Sequence, residues 1–244
     1  MPPCLLGNLD CYRFPHTPCA GLIGAGGDVT PHLMLGKATD ERMRQFKKLS
    51  RLDEIARRIV RGWEEAFEVA KFDIRSDVVL KHVVKTIELP YRQVTAAEAE
   101  EGRQMAAQYV DKPSVRWNYL WYQRVIDLYE KQQRGEGGPF PIRLHVIRLG
   151  DVAIATNEFA LYTDYGIQIK ARSPAVQTFV IQLTGSAGYL PTERAVRGGG
   201  YGAVIQRGHI SPEGGQVLVG RTVETINQLC NQEHARSRLT THKN

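Results

Sequence analysis

Residues 142–156 commit the chain to a β-sheet. Ile142 to Leu149 and Val152 to Thr156 are apolar runs separated only by Gly150-Asp151, and two such runs across a tight glycine-containing turn form an antiparallel hairpin. A lone hairpin is marginal in water, so the rest of the chain must supply neighbours. Val78 to Leu89 alternates as a strand closed by Pro90, and Thr178 to Leu183 reads as a buried strand.

Helical segments lie between these strands. Asp40 to Leu49 and Leu52 to Lys71 carry helical periodicity, the second as an amphipathic core helix through Leu52, Ile55, Ile59, Val60, Trp63 and Phe67. Thr95-Ala96-Ala97-Glu98 is a capping box opening a helix through Val110. Further helices are expected over Val115 to Gln133, Ala160 to Ala171 and Gln216 to Cys230, and Arg134-Gly-Glu-Gly-Gly-Pro-Phe-Pro reads as a joint. Alternating strands and helices predict an α/β (mixed α+β) class, with a layered mixed sheet flanked by helices.

Composition sets the remaining bounds. With 244 residues, 42% of them hydrophobic, the chain is long enough to bury a substantial core. A mean hydropathy of -0.33 is too polar for a membrane bundle, and no run approaches the ~20 apolar residues of a membrane span. The net charge of +6 is scattered among acids, as in Asp53-Glu54-Ile55-Ala56-Arg57-Arg58. That is the pattern of a solvated helix face, so no nucleic-acid partner is expected. Cys4, Cys11 and Cys19 crowd the start while Cys230 stands apart, with no Cys-x-x-Cys pair, a spacing that fits neither a zinc knuckle nor a disulfide framework. The first residues show no basic and apolar export signal.

Three glycine-rich or strand-exit clusters carry chemically capable side chains. Glu158 follows the apolar strand in Ala155-Thr156-Asn157-Glu158-Phe159, where strands deliver functional groups to a site. Its simpler role would be to charge the first turn of a following helix. Tyr189 and Tyr201 lie on the glycine-bounded segments Gly-Tyr-Leu-Pro-Thr and Gly-Gly-Gly-Tyr, where a phenol can ligate a metal, donate to an oxyanion or simply pack. The glycine-rich run from Ala20 to Pro31 reads as a buried strand end turning into a tight loop, and it holds the third cluster, Gly26-Gly27-Asp28-Val29-Thr30-Pro31-His32. Thr30 there is either a presented hydroxyl or part of an ordinary turn.

In this order the clusters resemble the neutral (non-lysosomal) ceramidase family over residues 20–233. Gly27-Asp28-Val29-Thr30-Pro31-His32 is similar to the family's Gly-Asp-Val-Ser-Pro-Asn, with Thr30 at the nucleophilic serine. Leu149 to Phe159 is similar to its apolar strand ending in Pro-Gly-Glu-Phe, with Asn157 replacing the glycine before the zinc-binding glutamate, here Glu158. Tyr189 falls at the family's zinc-ligating tyrosine and Tyr201, twelve residues on, at its oxyanion-stabilising tyrosine.

The resemblance implies a zinc-dependent amide hydrolase acting on an N-acyl, ceramide-like lipid. Glu158 and Tyr189 would be metal ligands, and Thr30, Asp28 and Tyr201 catalytic groups. The family's zinc histidines precede its Gly-Asp-Val-Ser segment. Only His16 precedes Gly27 here, so the resemblance implies the C-terminal part of such a domain, with residues 1–19 outside it and 234–244 a polar tail. A catalytically inactive, ceramidase-like binding module is the alternative, favoured by Thr30 and Asn157.

Overall fold

The computed structural model describes residues 21–240, with residues 232–240 described as helical backbone only. Cys4, Cys11, Cys19 and His16 therefore lie outside the described residues. The described chain divides into two compact units, one containing Thr30–Val78 and the other Ile23–Val29 together with the chain from Val79 onward.

The smaller unit is a pair of helices, α1 (Lys37–Lys47) and α2 (Arg51–Ala70). Ser50 Oγ accepts from the Asp53 amide while the Asp53 carboxylate accepts from the Ser50 amide, a reciprocal cap that fixes where α2 begins. Glu54 ties the helices together, meeting Lys47 of α1 and Arg57 and Arg58 of α2, each at 2.9 Å. The expectation of a core helix is corrected here. Leu52, Ile59 and Val69 stand exposed, and the one buried residue of α2 is Glu54, because two helices alone cannot enclose both of their own apolar stripes.

The larger unit is built on a four-stranded sheet of order β1-β2-β3-β5, formed by β1 (Leu80–Leu89), β2 (Phe140–Leu149), β3 (Val152–Thr156) and β5 (Gln177–Ile181). The β2–β3 hairpin forms as expected, Gly150 taking φ 61° at the turn. β1 pairs antiparallel with β2, and β3 pairs parallel with β5, so the sheet is mixed. The parallel step needs a crossover, which α5 (Thr163–Arg172) supplies. The predicted helix at 160–171 starts later because Ala160–Leu161 forms the short strand β4, parallel to β6 (Tyr189–Leu190).

One face of the sheet is covered by α5 and by α7 (Pro212–Thr240). Leu144, Val146, Ala155 and Val180 from the strands meet Tyr165 and Ile169 of α5 and Leu218 and Ile226 of α7 in the main core. α7 begins before the expected Gln216: Ser211 Oγ accepts from the Gly214 amide and Pro212 takes the first helical position, where its missing N–H is no loss. Between β1 and β2 the chain forms the helices α3 (Ala96–Tyr109) and α4 (Arg116–Gln133), which pack together around Ala99, Val125 and Leu128. The Thr95/Glu98 capping box is present at the start of α3, Thr95 Oγ1 accepting from the Glu98 amide at 3.2 Å and Glu98 from the Thr95 amide at 2.9 Å. After β6 come the one-turn helix α6 (Glu193–Gly198) and a 3₁₀ turn at Tyr201–Ala203.

The glycine-rich segment after residue 20 makes a single antiparallel bridge, Gly24 to Ile181, and Leu22 and Ile23 remain exposed. It is an edge contact on β5 and not the buried strand end expected, since its glycines offer the core no side chains. No helix among the described residues is long and apolar enough to cross a membrane.

Candidate functional site

The parallel strands β3 and β5 end side by side, and the two loops leaving them are joined along their length. Asn157, only 2% exposed, is the joint. Its amide and Nδ2 donate to the Ile181 carbonyl at 2.9 and 3.2 Å, its Oδ1 accepts from the Phe159 amide at 3.1 Å, and its carbonyl accepts from the amide and hydroxyl of Thr184, both at 3.0 Å. The Ala187 amide then donates to the Glu158 carbonyl and the Ala160 amide to that of Gly188. The backbone segments carrying Glu158 and Tyr189 are thereby held as neighbours.

Glu158 continues the hairpin beyond the last residue of β3. The register pairs Val146 with Ala155; carried three residues further, it sets Arg143 opposite Glu158. Glu158 Oε1 accepts from the Arg143 amide at 3.2 Å, a backbone donor that the end of β3 leaves unpaired. The carboxylate lies against Gly185, where an added Cβ would come within 2.6 Å of Oε2. Glu158 is thus not in the first turn of the following helix, whose early acid is Asp164.

The glycine loop docks on the same pair of exits. Gln182 Oε1 accepts from the amides of Gly26 at 3.2 Å and Leu161 at 2.8 Å, and the Gly27 amide donates to the Leu161 carbonyl at 2.7 Å. Gly27 is required by this approach, for a Cβ there would fall 2.3 Å from the Ala160 carbonyl oxygen. Asp28 Oδ1 accepts from both the amide and the hydroxyl of Thr163, each at 2.7 Å. Asp28 therefore supplies the N-terminus of α5 with an acceptor and a negative charge from another part of the chain. Thr30 belongs to the smaller unit, where its Oγ1 accepts from the His32 amide at 3.2 Å, the turn that such a hydroxyl forms locally.

Tyr189 and Tyr201 meet edge to face, their centroids 6.0 Å apart. Gly202 makes room for the pair: a Cβ on it would lie 2.7 Å from Tyr189 Cδ1 and 2.9 Å from the Tyr162 hydroxyl. Burial raises the Tyr162 phenol above its ordinary range, and the charge of Asp28 and the neighbouring Tyr189 push the same way. Tyr162, Tyr189 and Tyr201 thus gather around Gly202, with Asp28 bonded to Thr163, the residue after Tyr162, and the Glu158 segment bonded to the backbone at Ala187 and Gly188.

Tyr189 also stands on the wall of a cavity of about 1070 Å³ together with Tyr91, Trp121, Arg207 and His209. The Arg207 guanidinium lies 3.5 Å from the Trp121 ring centroid and 4.5 Å from that of Tyr201. His209 Nδ1 is buried with no hydrogen-bond partner among the described residues. Burial, with the nearby charge of Arg124, holds this imidazole below its ordinary pKa although a bond with the Ile205 backbone works against them.

Tyr162, Gln182, Arg207 and His209 were not singled out by sequence. A glutamine closing the apolar run Thr-Phe-Val-Ile-Gln182 was the most readable signal among them, since a buried amide needs partners. A catalytic zinc takes about three protein ligands. Glu158 and Tyr189 give two oxygen donors, and no group of three His, Cys, Asp or Glu side chains able to hold a metal stands among the described residues. Imidazole ligands of the implied kind would have to come from outside them. No family model, curated protein or solved structure matches the chain.

Proposed function

We propose that the chain carries part of a zinc-dependent amide hydrolase of the neutral-ceramidase kind, cleaving an N-acyl, ceramide-like lipid into a fatty acid and an amine. What supports this reading is the meeting of Tyr189 with Tyr201 and the docking of Asp28 on the start of α5, beside the Glu158 segment that leaves the carboxyl end of β3 next to that of its parallel neighbour β5. Such strand ends are where open sheets present their ligand sites. Glu158 and Tyr189 would hold the zinc, whose chemistry is to polarise the scissile carbonyl. Tyr201, 66% exposed, would donate its phenolic hydrogen to the oxyanion of the tetrahedral intermediate. The resemblance would give Thr30 the attacking or water-orienting role, its γ-methyl stiffening χ1 relative to serine.

A second reading, a ceramidase-like binding module without turnover, is favoured by the occupation of these same groups. Glu158 Oε1 serves the Arg143 amide and Asp28 Oδ1 serves Thr163. Zinc content of the purified protein, with fatty-acid release from N-acylsphingosine before and after chelation, separates the two. The hydrolase reading expects zinc, chelator-sensitive release, and a roughly hundredfold fall in kcat for Tyr201→Phe with the fold intact. Binding of N-acylsphingosine without zinc or release would establish the module instead.

A further inference from the structure

One face of α4 is turned into the cavity. Trp117, Trp121, Arg124, Leu128 and Lys131 recur at alternating four- and three-residue steps and all stand on its wall, the spacing that collects side chains along one side of a helix. Arg207 reaches the same wall from the loop after the 3₁₀ turn, its guanidinium lying against Trp121 and Tyr201. Contact with aromatic faces orients a guanidinium without neutralising it, so its N–H groups remain able to donate.

The charges on this wall are unevenly matched. Arg124, Lys131 and Arg207 make no ion pair among the described residues, whereas both acids on the wall have partners elsewhere. Asp127 accepts from Gln123 Nε2 at 2.8 Å, and Glu136 pairs with Arg134 at 3.0 Å. Beside the cations lie Trp117 and Tyr91 as apolar surface. A volume of about 1070 Å³ accommodates an organic molecule, not merely an ion.

We propose that this cavity binds a small organic oxyanion: a phosphate, sulfate or carboxylate group on an aromatic or aliphatic body. The anionic group is held by Arg124, Lys131 and Arg207, guanidinium forks being suited to planar or tetrahedral oxyanions. The body lies against Trp117 and Tyr91. Binding at this wall is independent of the hydrolase reading, because none of the cations is assigned a part in it.

Trp117 and Trp121 make the site self-reporting, so quenching of intrinsic fluorescence follows binding. Phenyl phosphate, phenyl sulfate and benzoate are titrated beside benzyl alcohol and inorganic phosphate. At least one phenyl oxyanion is expected to bind saturably, about tenfold or more tighter than benzyl alcohol and inorganic phosphate, each of which offers only half of the recognition; the order among the three identifies the acid group. Arg124→Gln, Lys131→Gln and Arg207→Gln are each expected to weaken that binding about ten- to hundredfold, while Lys170→Gln on the exposed side of α5 leaves it unchanged. Should Arg207→Gln fail to fold, the exposed Arg124 and Lys131 still decide the question. Absence of saturable binding by every phenyl oxyanion, equal binding of benzyl alcohol, or full affinity in both Arg124→Gln and Lys131→Gln would overturn the proposal.

Discussion

Asn157 is the residue on which the two strand exits depend. Its side chain joins Ile181 on β5 to Phe159 on its own loop while 2% exposed, so no water can replace what it provides. Asn157→Gly, which installs the residue that the resembled family has there, is expected to destabilise the protein by about 1–3 kcal/mol through the Phe159 amide it orphans. A lowered denaturant midpoint at unchanged slope would show it, and an unchanged midpoint would contradict it. At this scale much was readable in advance and much was not. Alternation places Glu158 just past a strand end, but its bond to Arg143 depends on pairing between strands, which no local spacing around residue 158 displays. The group of Asp28 with Tyr189 and Tyr201 was legible as three separate loop residues. Their meeting was not, because Tyr162 and Gly202, between which they are arranged, carry no pattern of their own.

Among the elements, those whose ends are set by neighbours in sequence were the readable ones. Thr95 and Glu98 satisfy each other across one turn and mark the start of α3; Gly150 and Asp151 mark the hairpin. The start of α5 was misplaced because Ala160 and Leu161 are claimed by β6 and the helix is capped by Asp28, 135 residues away. The apolar stripe of α2 has the right period for burial, yet none of its apolar residues is buried, since period specifies a face and not what covers it. The glycine loop offers the sharpest test at this level. In Gly27→Ala the new methyl meets the Ala160 carbonyl, which is backbone and cannot swing aside. We expect a loss of about 1–3 kcal/mol, with faster hydrogen exchange at the Gly27 and Leu161 amides; unaltered exchange there would show that the loop accepts a side chain.

For the whole molecule, acid should act on the two units in separate pH windows. His209 in the larger unit has its pKa lowered, so the unfolded chain takes up a proton that the folded one resists, and stability falls as pH drops below the ordinary value of 6.5. Glu54 in the smaller unit, held by hydrogen bonds from Arg57 foremost and then Lys47, lies well below its ordinary carboxylate value of 4.5. Its contribution is complete above that value and is lost as pH falls further toward the folded pKa. Thermal melts across pH should thus soften first in the unit reported by Trp117 and Trp121 and later in the one reported by Trp63. His209→Gln should flatten the upper window alone; retention of that window in the variant would remove His209 as its cause.

The long reach of the glycine loop also bears on how the protein is made. Gly26 bonds to Gln182 across 156 positions, so at ~5–20 residues per second a ribosome needs roughly eight to thirty seconds between adding the two. Gly27 and Asp28 must await Leu161 and Thr163, and Gly26 must await Gln182, so a nascent chain stopped short of β5 cannot complete the docking of its glycine loop. The first-made part of the larger unit is therefore among the last to reach its place.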